Sequence, residues 1–273
     1  MTTIYYIIIT LILVIIIYLT FSYSEIFSNI DVYPGYNYKI LDYRYTVPKH
    51  LVFKSEMKSV KQHILNNLYI MMKDIGGILE DNDIQYFVVG GTLISATRHN
   101  TFMPWDDDID IAYFIDDHDK IKSLKLKLDR KGYDLLECLP GFIIQNKKYR
   151  DVTMDLFMVD FNNDEKLYMY AAPVINKKSS FEVSKLWPRE TFTKDMIFPL
   201  KRKLICNNTL EIIIPNKSIE ILKSHYSPSV MDEVYSAPQS SIHKFRKAQW
   251  IMVYVEKIIP SKLLTYIGNS ILH

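Results

Sequence analysis

Apolar positions along this chain change their spacing several times, and each change predicts an element. Ile4 to Phe21 is apolar throughout, with Tyr and Thr as its only polar members. At helical rise such a run spans roughly 27 Å, close to the hydrocarbon thickness of a bilayer. No Lys or Arg precedes it, and Ser22-Tyr23-Ser24 makes a poor cleavage site. Residues 4–21 therefore read as an uncleaved transmembrane signal anchor rather than a removed leader. Residues 22–50 are dotted with Tyr, Pro and Gly without a clear period and read as a stem. From Met57 the apolar positions recur at steps of three and four: Met57, Val60, Ile64, Leu68, Met71, Ile75 and Ile78. That spacing predicts an amphipathic helix, weakened at its end by Gly76-Gly77. Asp81-Asn82-Asp83 then turns the chain into a short apolar strand, Ile84 to Val89.

Beyond an acidic cluster, Asp116 to Arg130 carries Ile121, Leu124 and Leu128 on one face and predicts a helix. Tyr133 to Glu137, Phe142 to Gln145, Asp151 to Val159 and Lys166 to Ala171 read as strands. Residues 176–200 are irregular, Leu210 to Ile214 is a strand stopped by Pro215, and Ile219 to Tyr226 starts a short helix. The pattern predicts an α+β domain over 51–245, a mixed sheet flanked by helices and preceded by the N-terminal transmembrane helix. Residues 246–273 are apolar and aromatic, broken at Pro260, and suit packing on the domain or lying at a membrane surface.

Composition changes this picture little. Apolar content of 48% and charged content of 23% are globular values, and a net charge of +2 makes no electrostatic case for nucleic acid. Cys138 and Cys206 are too few for a zinc knuckle or a disulfide scaffold. They could pair in an oxidising compartment or stay as two free thiols. Sequons at Asn207 and Asn216 permit a lumenal domain without requiring one.

The candidate chemistry sits between Tyr86 and Phe114. Residues two apart on a strand face the same side, so Asp108 and Asp110 project together while Ile109 and Ile111 turn to the core. Two like charges on one face call for a cation, and oxygen-only ligands suit Mg²⁺ or Mn²⁺. Asp106 and Asp107 also suit a solvated turn. Gly90-Gly91, after a strand and opening a short helix, let the backbone approach a phosphate, and Arg98 and His99 could reach the same anion. A third carboxylate is offered by Asp155, alone on its face of a strand whose other side is Val152, Met154, Leu156 and Met158. The bland alternatives are a surface arginine for Arg98, a buried structural carboxylate for Asp155, and a solvated face for Lys201-Arg202-Lys203. A divalent ion held by paired carboxylates beside a phosphate site fits phosphoryl transfer.

The string from Gly90 to Ile111, with Gly-Gly-Thr at its head and Pro-Trp-Asp-Asp-Asp-Ile-Asp-Ile at its end, resembles the signature of the LicD family of the nucleotidyltransferase superfold. The resemblance runs on through Asp155-Leu156-Phe157 and more weakly through Phe198-Pro199-Leu200 to Ile214-Pro215. Tyr226 stands where the family has Tyr-Gly, here Tyr-Ser. It implies a nucleotidyltransferase-like sheet and transfer of a phospho-alcohol group, phosphocholine or ribitol phosphate, from a CDP-activated donor to a glycan or glycoconjugate hydroxyl, releasing CMP. It also implies that Asp108, Asp110 and Asp155 hold Mg²⁺ or Mn²⁺, with Asp155 the candidate base. Gly90, Gly91, Thr92, Arg98 and Asp106 then serve the donor. The anchor matches the type II layout of the fukutin-like members, with a catalytic domain in the lumen of the endoplasmic reticulum or Golgi. A nucleotide-sugar glycosyltransferase with an Asp-x-Asp metal site and an inactive transferase-fold binding protein are the competing readings.

Overall fold

Five short strands lead into the domain: β1 (Phe27–Val32), β2 (Asn37–Ile40), β3 (Tyr43–Thr46), β4 (Val52–Phe53) and β5 (Met57–Val60). The computed structural model describes residues 26–174 and 178–235. The expected anchor over 4–21, the segment 246–273 and residues 236–245 of the expected domain lie outside the described residues. Among the described residues no helix is long and apolar enough to cross a membrane.

The stem expectation for 22–50 is corrected over its described part, because residues from Ile26 onward fold into the same unit as the site. β1 pairs antiparallel with β5, and β2 pairs antiparallel with β3. Tyr38, Ile40, Tyr45 and Val47 alternate inward, and the Tyr38 hydroxyl donates to the Phe102 carbonyl at 2.9 Å. Strands of four residues show only two inward positions each, too few to register as a period.

The helix expected from Met57 begins later, as α1 (Gln62–Glu80). Met57 and Val60 lie instead at the two ends of β5, where both are buried, and tertiary partners decide it. The Val60 N–H donates to the Pro104 carbonyl at 2.8 Å and the Lys61 N–H to the Ile26 carbonyl at 3.0 Å. The helix runs through Gly76-Gly77 because Ile75, Ile78 and Leu79 are buried on either side. That burial outweighs a propensity cost of about 1 kcal/mol per glycine.

β6 (Tyr86–Val88), α2 (Gly90–Ile94) and β7 (Asp108–Phe114) follow, then α3 (His118–Ser123), α4 (Lys125–Arg130), β8 (Tyr133–Cys138), β9 (Gly141–Asn146), β10 (Thr153–Asn162) and β11 (Leu167–Tyr170). The remainder comprises β12 (Ala172–Val174), β13 (Lys178–Ser180), β14 (Thr191–Phe192), α5 (Lys194–Ile197), β15 (Lys201–Ile205), β16 (Leu210–Ile214), α6 (Ser218–His225) and β17 (Glu233–Val234). The one helix expected over 116–130 is two short ones, with Leu124 between them. The strands expected around 133, 142, 151, 166 and 210 all form, the last with the expected ends and the others with ends shifted by up to three residues.

The architecture is α+β around a mixed seven-stranded sheet in the order β14-β11-β10-β7-β6, with β9 also on β10 and β8 on β9. β7 and β10 are parallel neighbours in a run of seven Cα partners from Asp108↔Thr153 to Phe114↔Val159. β6 joins β7 antiparallel, while β9 and β11 join β10 antiparallel. Ile109, Ile111, Met154, Leu156 and Met158 turn from the carboxylates into the core and are at most 1% exposed.

The edge strand β14 is held by α6. His225 Nε2 lies 3.0 Å from the Thr191 carbonyl oxygen, and its ring meets Phe192 edge-on at 4.9 Å. Burial lowers the His225 pKa from its ordinary 6.5, and burial, with Arg98 and His50 adding, lowers that of His99 well below it. Above that value both states are neutral and no stability is at stake. Below it the unfolded chain takes up protons that the folded chain refuses, so stability falls as pH drops. Thermal melts of the full chain should show a lower midpoint at pH 5.5 than at 7.5, with a smaller drop in His225→Gln. An identical drop in that variant removes His225 from the account.

Candidate active site

The site is built where β6 ends and α2 begins. Val89 is extended and its N–H donates to the Asp110 carbonyl at 3.1 Å, tying the turn to β7. Gly90 then adopts φ +55, in the left-handed region, and starts the helix. The Gly91 N–H donates to Asp110 Oδ2 at 3.1 Å, and the Thr92 hydroxyl accepts the Asp110 N–H at 2.8 Å. Gly90, Gly91 and Thr92 thus bracket one aspartate from both its main chain and its side chain. A Cβ at Gly90 would stand 2.4 Å from Asp110 Oδ2, and one at Gly91 would stand 3.0 Å from Asp106 Oδ2. The glycine pair makes room for two carboxylates.

Asp108 and Asp110 share one face of β7, as expected. Asp155 is the direct cross-strand neighbour of Asp110 on β10, a pairing that brings the distant carboxylate onto the same face. Oxygen atoms of Asp108, Asp110 and Asp155 all lie within 4.8 Å of one another, and so do those of Asp106, Asp107 and Asp108. Asp108, Asp110 and Asp155 are only 7–8% exposed. Buried carboxylates this close are costly without a compensating positive charge, and an all-oxygen donor set suits a hard divalent cation. These residues could hold Mg²⁺ or Mn²⁺.

Asp107 departs from the solvated turn expected of it, for it is 7% exposed and belongs to the cluster. Asp106 is supported from the other side by Ser95, whose hydroxyl approaches Asp106 Oδ2 at a long 3.4 Å and accepts the Met103 N–H at 3.2 Å. Burial raises the Asp106 pKa well above the usual carboxylate range, with the charges of Asp108, Asp110 and Asp107 adding and Ser95 opposing.

Arg98 does not occupy the place its position suggests. Its guanidinium donates to the main-chain carbonyls of Val230 at 2.7 Å and Glu233 at 2.9 Å. Burial pushes its pKa down to about 10, against a pull upward from Asp106. His99 packs edge-on against Trp105 at 5.3 Å. Lys201-Arg202-Lys203 lies on β15, and Arg202 pairs with Glu80 at 2.6 Å and with Glu211, an exposed ion network as the solvated-face reading has it. Cys138 and Cys206 are free thiols.

Three groups that sequence reasoning did not place in the site lie beside it. The Tyr170 hydroxyl donates to Glu190 Oε2 at 2.7 Å. Burial holds that phenol far above its ordinary value, with Glu190 and Asp110 contributing. Tyr226 is raised the same way by burial, with the charges of Glu190, Asp110, Asp106 and Asp108 adding. The residue as a whole is nevertheless 37% exposed. Glu190 falls in the irregular stretch 176–200, where no periodicity marks a functional position; Tyr226 was visible only as part of a motif.

Carboxylates on adjacent parallel strands of a mixed sheet, behind a Gly-Gly helix start, thus form one buried acidic cluster. Residues 83–217 match the family described as LicD/FKTN/FKRP, nucleotidyltransferase domain. The chain is 29% identical over 117 residues to an uncharacterized protein of Rickettsia prowazekii, covering 37% of this chain and 44% of that one. It is 27% identical over 88 residues to the human ribitol 5-phosphate transferase FKRP, covering 30% of this chain and 18% of that protein. To the lipopolysaccharide cholinephosphotransferase LicD of Haemophilus influenzae it is 36% identical over 58 residues, covering 21% and 22%. The chain thus spans less than half the length of the curated relatives it matches. Among solved structures, the lincosamide antibiotic adenylyltransferase LnuA aligns with a TM-score of 0.38 at 15% identity, over 64% of this chain and 92% of its own.

Proposed function

We propose that this chain is a metal-dependent phosphotransferase that moves a phospho-alcohol group from a CDP-activated donor to a glycan hydroxyl and releases CMP. The observation that carries the reading is the register Asp110↔Asp155, which joins Asp155 to the Asp108–Asp110 pair on one buried face. Asp108, Asp110 and Asp155 hold the cation. When bound, a divalent cation neutralises charge developing on the transferring phosphate. Asp155 accepts the proton of the acceptor hydroxyl. The acceptor oxygen forms its bond to the alcohol-bearing phosphorus while the bond from that phosphorus to the bridging oxygen breaks, and the electron pair leaves with CMP. The Gly91 N–H and the Thr92 hydroxyl fix Asp110, and Gly90 and Gly91 keep the donor's approach free of side chains. Asp106 stands behind Gly91 as an outer carboxylate. Arg98 leaves the donor set of the sequence reading, because its guanidinium is engaged by the main chain of 230–233.

The family match over 83–217 and the transferase names of two relatives support this reading. The apolar run over 4–21 supports a single-pass, type II protein with its catalytic domain in the lumen of the endoplasmic reticulum or Golgi. The test uses the full chain. Membranes carrying it should release CMP from at least one of CDP-choline, CDP-ribitol and CDP-glycerol. The activity should vanish with EDTA, return with Mg²⁺ or Mn²⁺, and resist carbonate extraction. No CMP from any donor in the presence of metal overturns the reaction, release of CDP points to a glycosyltransferase, and activity in the carbonate wash overturns the anchor.

A further inference from the structure

One face of β10 continues past Asp155 into an aromatic cluster that the phosphoryl chemistry does not use. Phe157 follows Asp155 on the same face of the strand, about 7 Å further along. Its ring stacks on Tyr170 at 4.9 Å and meets Trp187 edge-on at 5.6 Å, while Trp187 meets Tyr170 edge-on at 5.7 Å. Phe157 and Tyr170 are buried, and Trp187 is only partly so. Two perpendicular contacts fix the Trp187 indole and leave part of it open to solvent. Glu190, three residues on, is fixed in turn: its Oε2 accepts the Tyr170 hydroxyl at 2.7 Å and its N–H donates to the Trp187 carbonyl at 3.0 Å. The Trp187 ring and the Glu190 carboxylate are therefore both tied to Tyr170, and the ring also to Phe157, two residues past Asp155 on the same face of β10.

That pair has a defined ligand chemistry. A pyranose offers a patch of C–H hydrogens that suits the negative face of an indole, and hydroxyls at its rim that donate to a carboxylate. A planar base would need only the indole, and a phosphate would be repelled by Glu190. We propose that Trp187 and Glu190 form the acceptor sugar subsite, with the ring on the Trp187 indole and its hydroxyls on the Glu190 carboxylate. The proposal rests on the transferase reading for the identity of the bound sugar as acceptor. It assigns to 187–190 the acceptor selectivity that the site's carboxylates do not supply.

The experiment reads binding, not turnover. The purified full chain is titrated with methyl glucoside, methyl galactoside and the methyl glycosides of N-acetylglucosamine and N-acetylgalactosamine, following tryptophan fluorescence and heat. At least one sugar should change the emission, and Trp187→Ala should weaken its binding at least about tenfold. Trp187→Phe should recover part of that loss because the ring face is restored, and Glu190→Gln should weaken binding with the indole signal intact. The Phe and Gln variants keep the test open should Trp187→Ala fail to fold. Binding by Trp187→Ala equal to wild type, or no sugar bound by a wild-type chain that releases CMP, overturns the subsite. A chain that binds the sugar through Trp187 yet releases no CMP from any CDP compound keeps the subsite and overturns the transferase reading.

Discussion

Asp110→Asn is expected to abolish CMP release while leaving the metal-free protein at least as stable as wild type. Asparagine keeps the size of the side chain and an oxygen to accept the Gly91 N–H, now held at 3.1 Å. The Asp110 main-chain N–H still reaches the Thr92 hydroxyl. What disappears is one negative charge from a group whose oxygens lie within 4.8 Å of those of Asp108 and Asp155 on a face 7–8% exposed. Like charges at that spacing repel, so removing one relieves the folded state by about 1 kcal/mol or more. The new amide can also donate to a neighbouring carboxylate. Function moves the other way, because a cation loses a charged ligand and the transferring phosphate loses the charge that cation supplies. A loss of about a thousandfold or more in CMP release is the scale for removing such electrostatic stabilisation. Two measurements separate the effects: the melting midpoint without metal, expected to hold or rise, and the midpoint gain on adding Mn²⁺, expected in wild type and absent in the variant. An Asn variant with wild-type turnover, or one that still gains stability from Mn²⁺, removes Asp110 from the metal set.

The sequence exposed this site unevenly, for reasons that depend on range. Asp108 and Asp110 could be read because Ile109 and Ile111 alternate with them, and a two-residue period needs nothing beyond the strand itself. Asp155 could be singled out because Val152, Met154, Leu156 and Met158 occupy the opposite face. Its position beside Asp110 could not, since strand register is fixed between segments far apart in sequence. Arg98 fails for the same reason at greater distance. Its local setting fits an anion, but its partners are main-chain carbonyls 132 and 135 residues away. The short strands β2 and β3 and the glutamate at 190 were hidden differently. They carry too few inward positions, or none, to make a pattern, and only packing against Phe102 or Tyr170 gives them a place. Periodic elements of the fold were therefore legible, and contacts that close the site between distant segments were not.

Gly90→Ala is expected to damage folding and catalysis together, and it tests whether the glycine pair serves the carboxylates. Gly90 sits at φ +55, where a residue with a Cβ is strained by about 1–2 kcal/mol. The added carbon would also stand 2.4 Å from Asp110 Oδ2 and 2.9 Å from its Cγ. Neither Asp110 nor α2 can yield easily. The side chain is held by the Gly91 N–H, and the main chain of the aspartate is held by Thr92 and Val89. Overpacking of this kind costs about 1–3 kcal/mol, so the sum is about 2–5 kcal/mol, or a fall in melting midpoint on the order of 5–15 °C for a domain of this size. The fraction that stays folded should also turn over more slowly, because a shift of Asp110 misplaces a group that must stay aligned with Asp155. Gly77→Ala is the matched control. It lies in α1 with nothing within 4 Å of the added carbon, and alanine there should stabilise by up to about 1 kcal/mol. A phosphate-cradle role alone would pair a defect in donor affinity with no more than the about 1–2 kcal/mol cost of a Cβ at positive φ. A fall in the metal-free midpoint larger than that strain, seen at 90 and not at 77, is the signature of a glycine that makes room for Asp110.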